Sequence, residues 1–94
     1  MARRPKSIGQ RLAAKRKWRG QSLADAGVEC GVSRQQFRKW ELDEQIPDKD
    51  ETILAAVGYL EIELTEWPDL VGVTERYRSR VRIEALQRRV DGLD

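Results

Sequence analysis

The segment Gly31-Val-Ser-Arg-Gln-Gln-Phe-Arg-Lys-Trp-Glu41 constrains this chain more than any other. Glycine reaches the left-handed conformation that ends one helix and turns the chain sharply, and Gly31 stands where such a turn is needed. Ser33 is a good N-cap for the helix that follows. Val32, Phe37 and Trp40 then mark one apolar face, while Arg34, Gln35, Gln36, Arg38 and Lys39 point outward. A short helix anchored at its back, with a front of Arg, Gln and Lys, carries the side chains that read base edges in a major groove. Taken alone, the same pattern also fits a solvated amphipathic helix.

The segment before it supports a turn. Ser22 caps a helix from Leu23 to Cys30 that is rich in small residues: Ala24, Ala26, Gly27 and Cys30. Glycine inside a helix costs about 1 kcal/mol relative to alanine. Gly27 therefore predicts close approach of another backbone, that of the following helix. Cys30 falls beside Ala26 on the apolar face and reads as a buried structural thiol.

Upstream, Ser7 caps a first helix to about Arg19, with Ile8 and Leu12 inward, and Gly20 stops it. Trp18 is expected to be partly buried. Residues 1–6 lack periodicity, contain Pro5, and read as a flexible basic arm. Downstream, Asp50 is expected to cap a fourth helix with Ile53, Leu54 and Val57 inward, ended or kinked at Gly58. Tyr59, Leu60, Ile62, Leu64 and Trp67 close the core through a short fifth helix that stops at Pro68. Asp69 to Val73 reads as a linker, and Thr74 as the cap of a last helix from Glu75 to about Val90. No stretch alternates as a strand does, so the class is all-α.

Charge is segregated along the chain. The net charge of +2 over 94 residues conceals segments of +8 (1–20), +1 (21–40), −8 (41–66) and +1 (67–94). A molecule basic on one side and acidic on the other orients in the field of a polyanion. No apolar run approaches the ~18 residues of a membrane span, and no secretory signal opens the chain, so the expected compartment is the cytoplasm and no membrane partner is expected. One cysteine and no histidine exclude a disulfide framework and the usual zinc sites, so neither metal nor cofactor is expected. Lacking also a Gly-rich phosphate loop in a βα context, the chain does not read as an enzyme.

In Arg19-Gly-Gln-Ser22, Leu23 to Cys30, Gly31-Val-Ser33 and Trp40-Glu41 the chain resembles the Cro/repressor-type helix-turn-helix, also called the xenobiotic-response-element (XRE) type. The spacing runs without a gap from Ile8 to Glu41 and continues more loosely to Trp67. The resemblance implies a five-helix lambda-repressor-like domain over 7–67, with 68–94 as an added linker and C-terminal helix. It implies a sequence-specific transcriptional regulator, a dimeric repressor occupying an inverted-repeat operator in double-stranded DNA. The alternative is an antitoxin that binds its own promoter and a partner toxin. By the same resemblance Arg34, Gln35, Arg38 and Lys39 read bases. Ser33, Gln36, Arg11 and Lys15 hold phosphates, and Arg16 pairs with Glu41.

Two positions depart from that pattern. Leu23 stands where the family often has Gln, and Leu42-Asp-Glu44 replaces the usual Asn-Gly-Lys, turning an acidic loop toward the expected DNA side. In the last helix, Tyr77, Val81 and Ala85 form one apolar face, expected to dock on the body. Ile83, Leu86, Val90 and Leu93 form a second stripe with 3-4-3 spacing, expected to meet a second subunit.

Overall fold

The computed structural model describes residues 5–92, apart from the side chain of Val81. The basic arm's first four residues and the last stripe residue, Leu93, lie outside the described residues. The described residues form α1 (Ile8–Trp18), α2 (Leu23–Cys30), α3 (Arg34–Glu41), α4 (Asp50–Leu60) and α5 (Trp67–Asp91), with a 3-10 turn at Leu64–Glu66. No strand occurs among them.

Each helix start follows from local chemistry. At α1 and α2 the Ser7 and Ser22 hydroxyls accept the amides of Gln10 and Asp25, while those residues' side chains accept the serine amides in return. Gly20 (φ 68°) and Gly31 (φ 71°) supply the left-handed turns. Lys49, rather than Asp50, occupies the cap of α4, and Thr52 accepts the Lys49 amide. Asp50 and Glu51 fall instead in the first turn, where the helix dipole favours them.

The core gathers Ile8, Leu12, Ala26, Cys30, Phe37, Trp40, Ala56, Val57, Tyr59, Leu60, Trp67 and Leu70. Phe37 is its centre, with Tyr59 edge-on at 5.6 Å and Trp40 tilted at 6.0 Å between ring centroids. The inner face of α4 runs through Ile53, Ala56, Val57 and Leu60; Leu54 is exposed, one helical step off that face. Gly58 neither ends nor kinks α4, which continues to Leu60 and closes at Glu61 with φ 57°. Trp18 is 79% exposed, against the expectation of partial burial. It lies near the end of α1, with the Lys15 ammonium 4.9 Å from its ring centroid.

The C-terminal third differs most from the sequence reading. Residues 69–73 are helix, not linker, and the closing segment is a 3-10 turn that runs directly into α5. Pro68 sits in the first turn of α5, where its missing N–H has no helical partner to lose. Thr74 is a fully buried interior residue rather than a cap. Its hydroxyl accepts the Ile8 amide at 2.7 Å and donates to the Leu70 carbonyl at 3.0 Å. The docking face of α5 is therefore Trp67, Leu70, Thr74 and Arg78. Tyr77 is 41% exposed and Ala85 is exposed, because α5 extends past the body after Arg78.

Candidate nucleic-acid interface

The turn between α2 and α3 is built for one close approach. A Cβ on Gly27 would stand 2.8 Å from the Val32 carbonyl oxygen, so a side chain there would force the two helices apart. The close backbone is the turn itself, just ahead of α3. The Val32 amide donates to the Gly27 carbonyl at 2.8 Å, closing the turn. Ser33 then caps α3, its hydroxyl accepting the Gln36 amide at 3.0 Å. Phe37 and Trp40 are buried behind the helix, 0% and 2% exposed. In front, Arg34, Gln35, Arg38 and Lys39 are all exposed, and among the described residues none of the three cations joins an ion pair. Gln36 lies at the edge of this face, its amide donating to Gln45 at 2.9 Å.

The first-helix cations are placed differently. Arg16 holds Glu41 through two nitrogens, at 2.6 and 3.2 Å, and its third contact is the Gln21 carbonyl at 3.1 Å. This fork ties α1 to the end of α3, and the Glu41 bond raises the guanidinium pKa above its ordinary value. Lys15 donates to Glu61 at 2.6 Å, which holds that carboxyl below its ordinary range. Arg19 reaches Glu29 at 3.2 Å and Glu61 at 3.6 Å and lies over the Tyr59 ring. Arg11 and Lys17 are exposed and enter no ion pair among the described residues. The structure thus brings Arg34, Gln35, Arg38, Lys39 and Ser33 onto one helix and leaves Arg11 open on another. Lys15 is turned to the end of α4.

Sequence reasoning missed the node that fixes this geometry. Asp43 was expected in an exposed acidic loop, but it is 5% exposed. Its carboxylate accepts the Ser7 hydroxyl at 2.6 Å and the Gly9 amide at 2.9 Å, and its carbonyl accepts Arg78 Nε at 2.6 Å. Asp43, two positions beyond the end of α3, thereby binds the start of α1 and the last docked turn of α5. Its φ of 57° turns the carboxylate inward, and aspartate tolerates that conformation better than most residues. A Cβ on Gly9 would run into the Trp40 carbonyl, so α1 also passes close to the end of α3. The only signals in the sequence were a glycine in the first turn of α1 and an aspartate where the family has glycine. Glu44, by contrast, is exposed as expected.

Cys30 is 4% exposed, and burial pushes its thiol up to about 11, so it is inert near neutral pH. Among the described residues no cluster of His, Cys, Asp and Glu could hold a metal, and no helix is long and apolar enough to cross a membrane.

Two helices joined by a glycine turn, the second capped by serine and anchored by Phe37 and Trp40 inside an all-helical body, have the Cro/repressor-type helix-turn-helix fold. A solved relative agrees: the P22 c2 repressor, crystallised with a synthetic operator in the presence of Tl+, is similar to this chain at 29% identity and a TM-score of 0.58. The match covers 66% of this chain and 92% of that one. No family model and no curated protein sequence matches.

Proposed function

We propose that this protein is a sequence-specific DNA-binding regulator, a dimeric repressor that acts by occupying an inverted-repeat operator. The observation that carries the reading is the front of α3, where Arg34, Gln35, Arg38 and Lys39 are exposed on a helix held rigid from behind. The likeness to a repressor crystallised with a synthetic operator supports the same use of the fold.

The chemistry of each group assigns its role. Arg34, Arg38 and Lys39 suit guanine O6 and N7, and Gln35 suits adenine N6 and N7. Ser33, Gln36 and Arg11 hold phosphates and set the register. Lys15 is the weakest of the phosphate set, because its ammonium must leave Glu61 to serve. Leu42-Asp-Glu44 contributes no cation to phosphate, and the inward pull on Asp43 removes one of its two charges from the DNA side. A single module makes a small interface with DNA, and doubling it over two half-sites raises both affinity and specificity. Ile83, Leu86, Val90 and Leu93 supply the contact between subunits.

Selection of bound sequences from a random DNA pool tests this reading. The expected result is an inverted repeat whose half-sites each contain a G·C pair, with centres about one helical turn apart. A pool that shows no enrichment would overturn it. An antitoxin of the same fold would also enrich a promoter sequence, but would co-purify with the product of an adjacent gene.

A further inference from the structure

We propose that α5 pairs with α5 of a second copy in a parallel, in-register seam, an inference that rests on the dimeric reading above and adds its orientation. Three observations carry it.

Ile83, Leu86 and Val90 are 65%, 59% and 61% exposed, on a stretch of helix that has left its own body. Their 3-4 spacing is that of the two core positions of a coiled-coil heptad. The seam also points away from the body. Thr74 faces α1, and at 3.6 residues per turn Ile83 lies about 180° around the helix from it. Two copies can therefore meet along this stripe while each body stays on the outside of the pair.

The charges beside the stripe then select the direction. With Ile83 and Val90 at the first core position and Leu86 at the second, Glu75, Arg82 and Arg89 occupy one flank and Arg80 and Gln87 the other. In a parallel pair each flank residue meets the opposite flank of the partner five positions on. Within the stripe Arg82 then faces Gln87, a hydrogen-bonding pair; one heptad earlier, where Glu75 would face Arg80, the core positions are Arg76 and Ser79, so the seam begins at Ile83. In an antiparallel pair that layers Leu86 on Val90, like flanks meet, and the two Arg89 guanidinium groups come together at the two-fold axis. Like charges so placed are destabilising. A parallel seam also puts both α3 helices at the same end of the assembly, an arrangement that fits a two-fold inverted repeat.

Cysteine cross-linking decides the direction in the full chain. Leu86 and Val90 are exposed, so Leu86→Cys and Val90→Cys leave the body intact, and Cys30 is buried and stays silent to oxidation. Each variant would be oxidised alone, and then the two would be mixed with tags of different size, with sedimentation of the reduced chains run alongside. The parallel seam predicts that Leu86→Cys alone gives linked dimer as its main product and that the mixture gives no link between the differently tagged chains. Links only in the mixture would show antiparallel pairing and overturn the proposal. A sedimenting dimer with no link in any arm would place the interface elsewhere and also overturn it. A chain that sediments as a monomer would remove the dimeric reading itself, and the seam with it.

Discussion

α1 carries Arg11, Lys15, Arg16 and Lys17, and α3 carries Arg34, Arg38 and Lys39, so both look basic in the sequence. In the folded chain they differ. Arg16 is locked onto Glu41 and Lys15 onto Glu61, while Arg19 beyond the helix end is shared by Glu29 and Glu61. The α3 cations have no acidic neighbour within ion-pair distance among the described residues. Much of the charge of α1 is therefore spent inside the molecule, and that of α3 faces outward. The acidic segment 41–66 is not simply a separate negative face, since Glu41, Asp43 and Glu61 fold back onto α1 or its capping residue. Net charge along a sequence overstates the charge available to a partner.

The largest test of this contrast is Glu41→Ala. The Arg16–Glu41 side chains are only 17% and 10% exposed, and removing one member leaves a charge unpaired away from water. The expected loss is about 3–5 kcal/mol of folding stability. Glu44→Ala, at an exposed site, should cost under about 0.5 kcal/mol. Chemical denaturation of the two variants measures the difference, and equal midpoints would show that the Arg16 charge is not held inside.

Thr74→Val sharpens the same comparison at the other end of α1. It leaves the buried Ile8 amide without its acceptor and should cost about 1–3 kcal/mol. A variant as stable as the natural chain would mean that α5 does not fix the start of α1.

Smaller effects fall on DNA binding. Arg11→Ala should weaken binding to every sequence and flatten the slope of log affinity against log salt by about 0.9. Lys15→Ala should change that slope less, because Glu61 already holds its ammonium. Equal changes would show that Lys15 exchanges Glu61 for phosphate. Smallest of all, Glu61→Gln should release Lys15 and raise affinity for DNA of any sequence slightly. The Glu61 carboxyl titrates below its ordinary range when folded, so the pairing is fully formed above the ordinary glutamate value. It is lost as pH falls through the lowered one, and at acid pH the natural chain should approach the variant.

Much of the helix-turn-helix was legible because short-range chemistry specifies it. Ser7, Ser22 and Ser33 each bond an amide three residues on, and Gly20, Gly27 and Gly31 act through their own backbone. Arg16–Glu41 was legible only through the family resemblance, since 25 residues separate the partners. Asp43 was not legible, because its partners Ser7, Gly9 and Arg78 lie 34 to 36 positions away and nothing local marks the residue as buried. The continuity of α5 was hidden for a different reason. Pro68 and Gly72 look like breaks, yet proline is tolerated in a first turn and Gly72 meets open space where a Cβ would point. Thr74 looked like a cap because threonine is common at caps, whereas here its hydroxyl serves the Ile8 amide of another helix.

Replacement of Gln35 by alanine tests most directly whether the exposed front of α3 reads sequence. Gln35 carries no charge, so its loss leaves the electrostatic attraction to phosphate unchanged. On the site recovered by selection, Gln35→Ala should cost about 1–3 kcal/mol and relax the preference at one base pair, with binding to random DNA unchanged at the same salt. Equal losses on the selected site and on random DNA would make Gln35 a backbone contact and contradict the assignment of α3 as the reading helix.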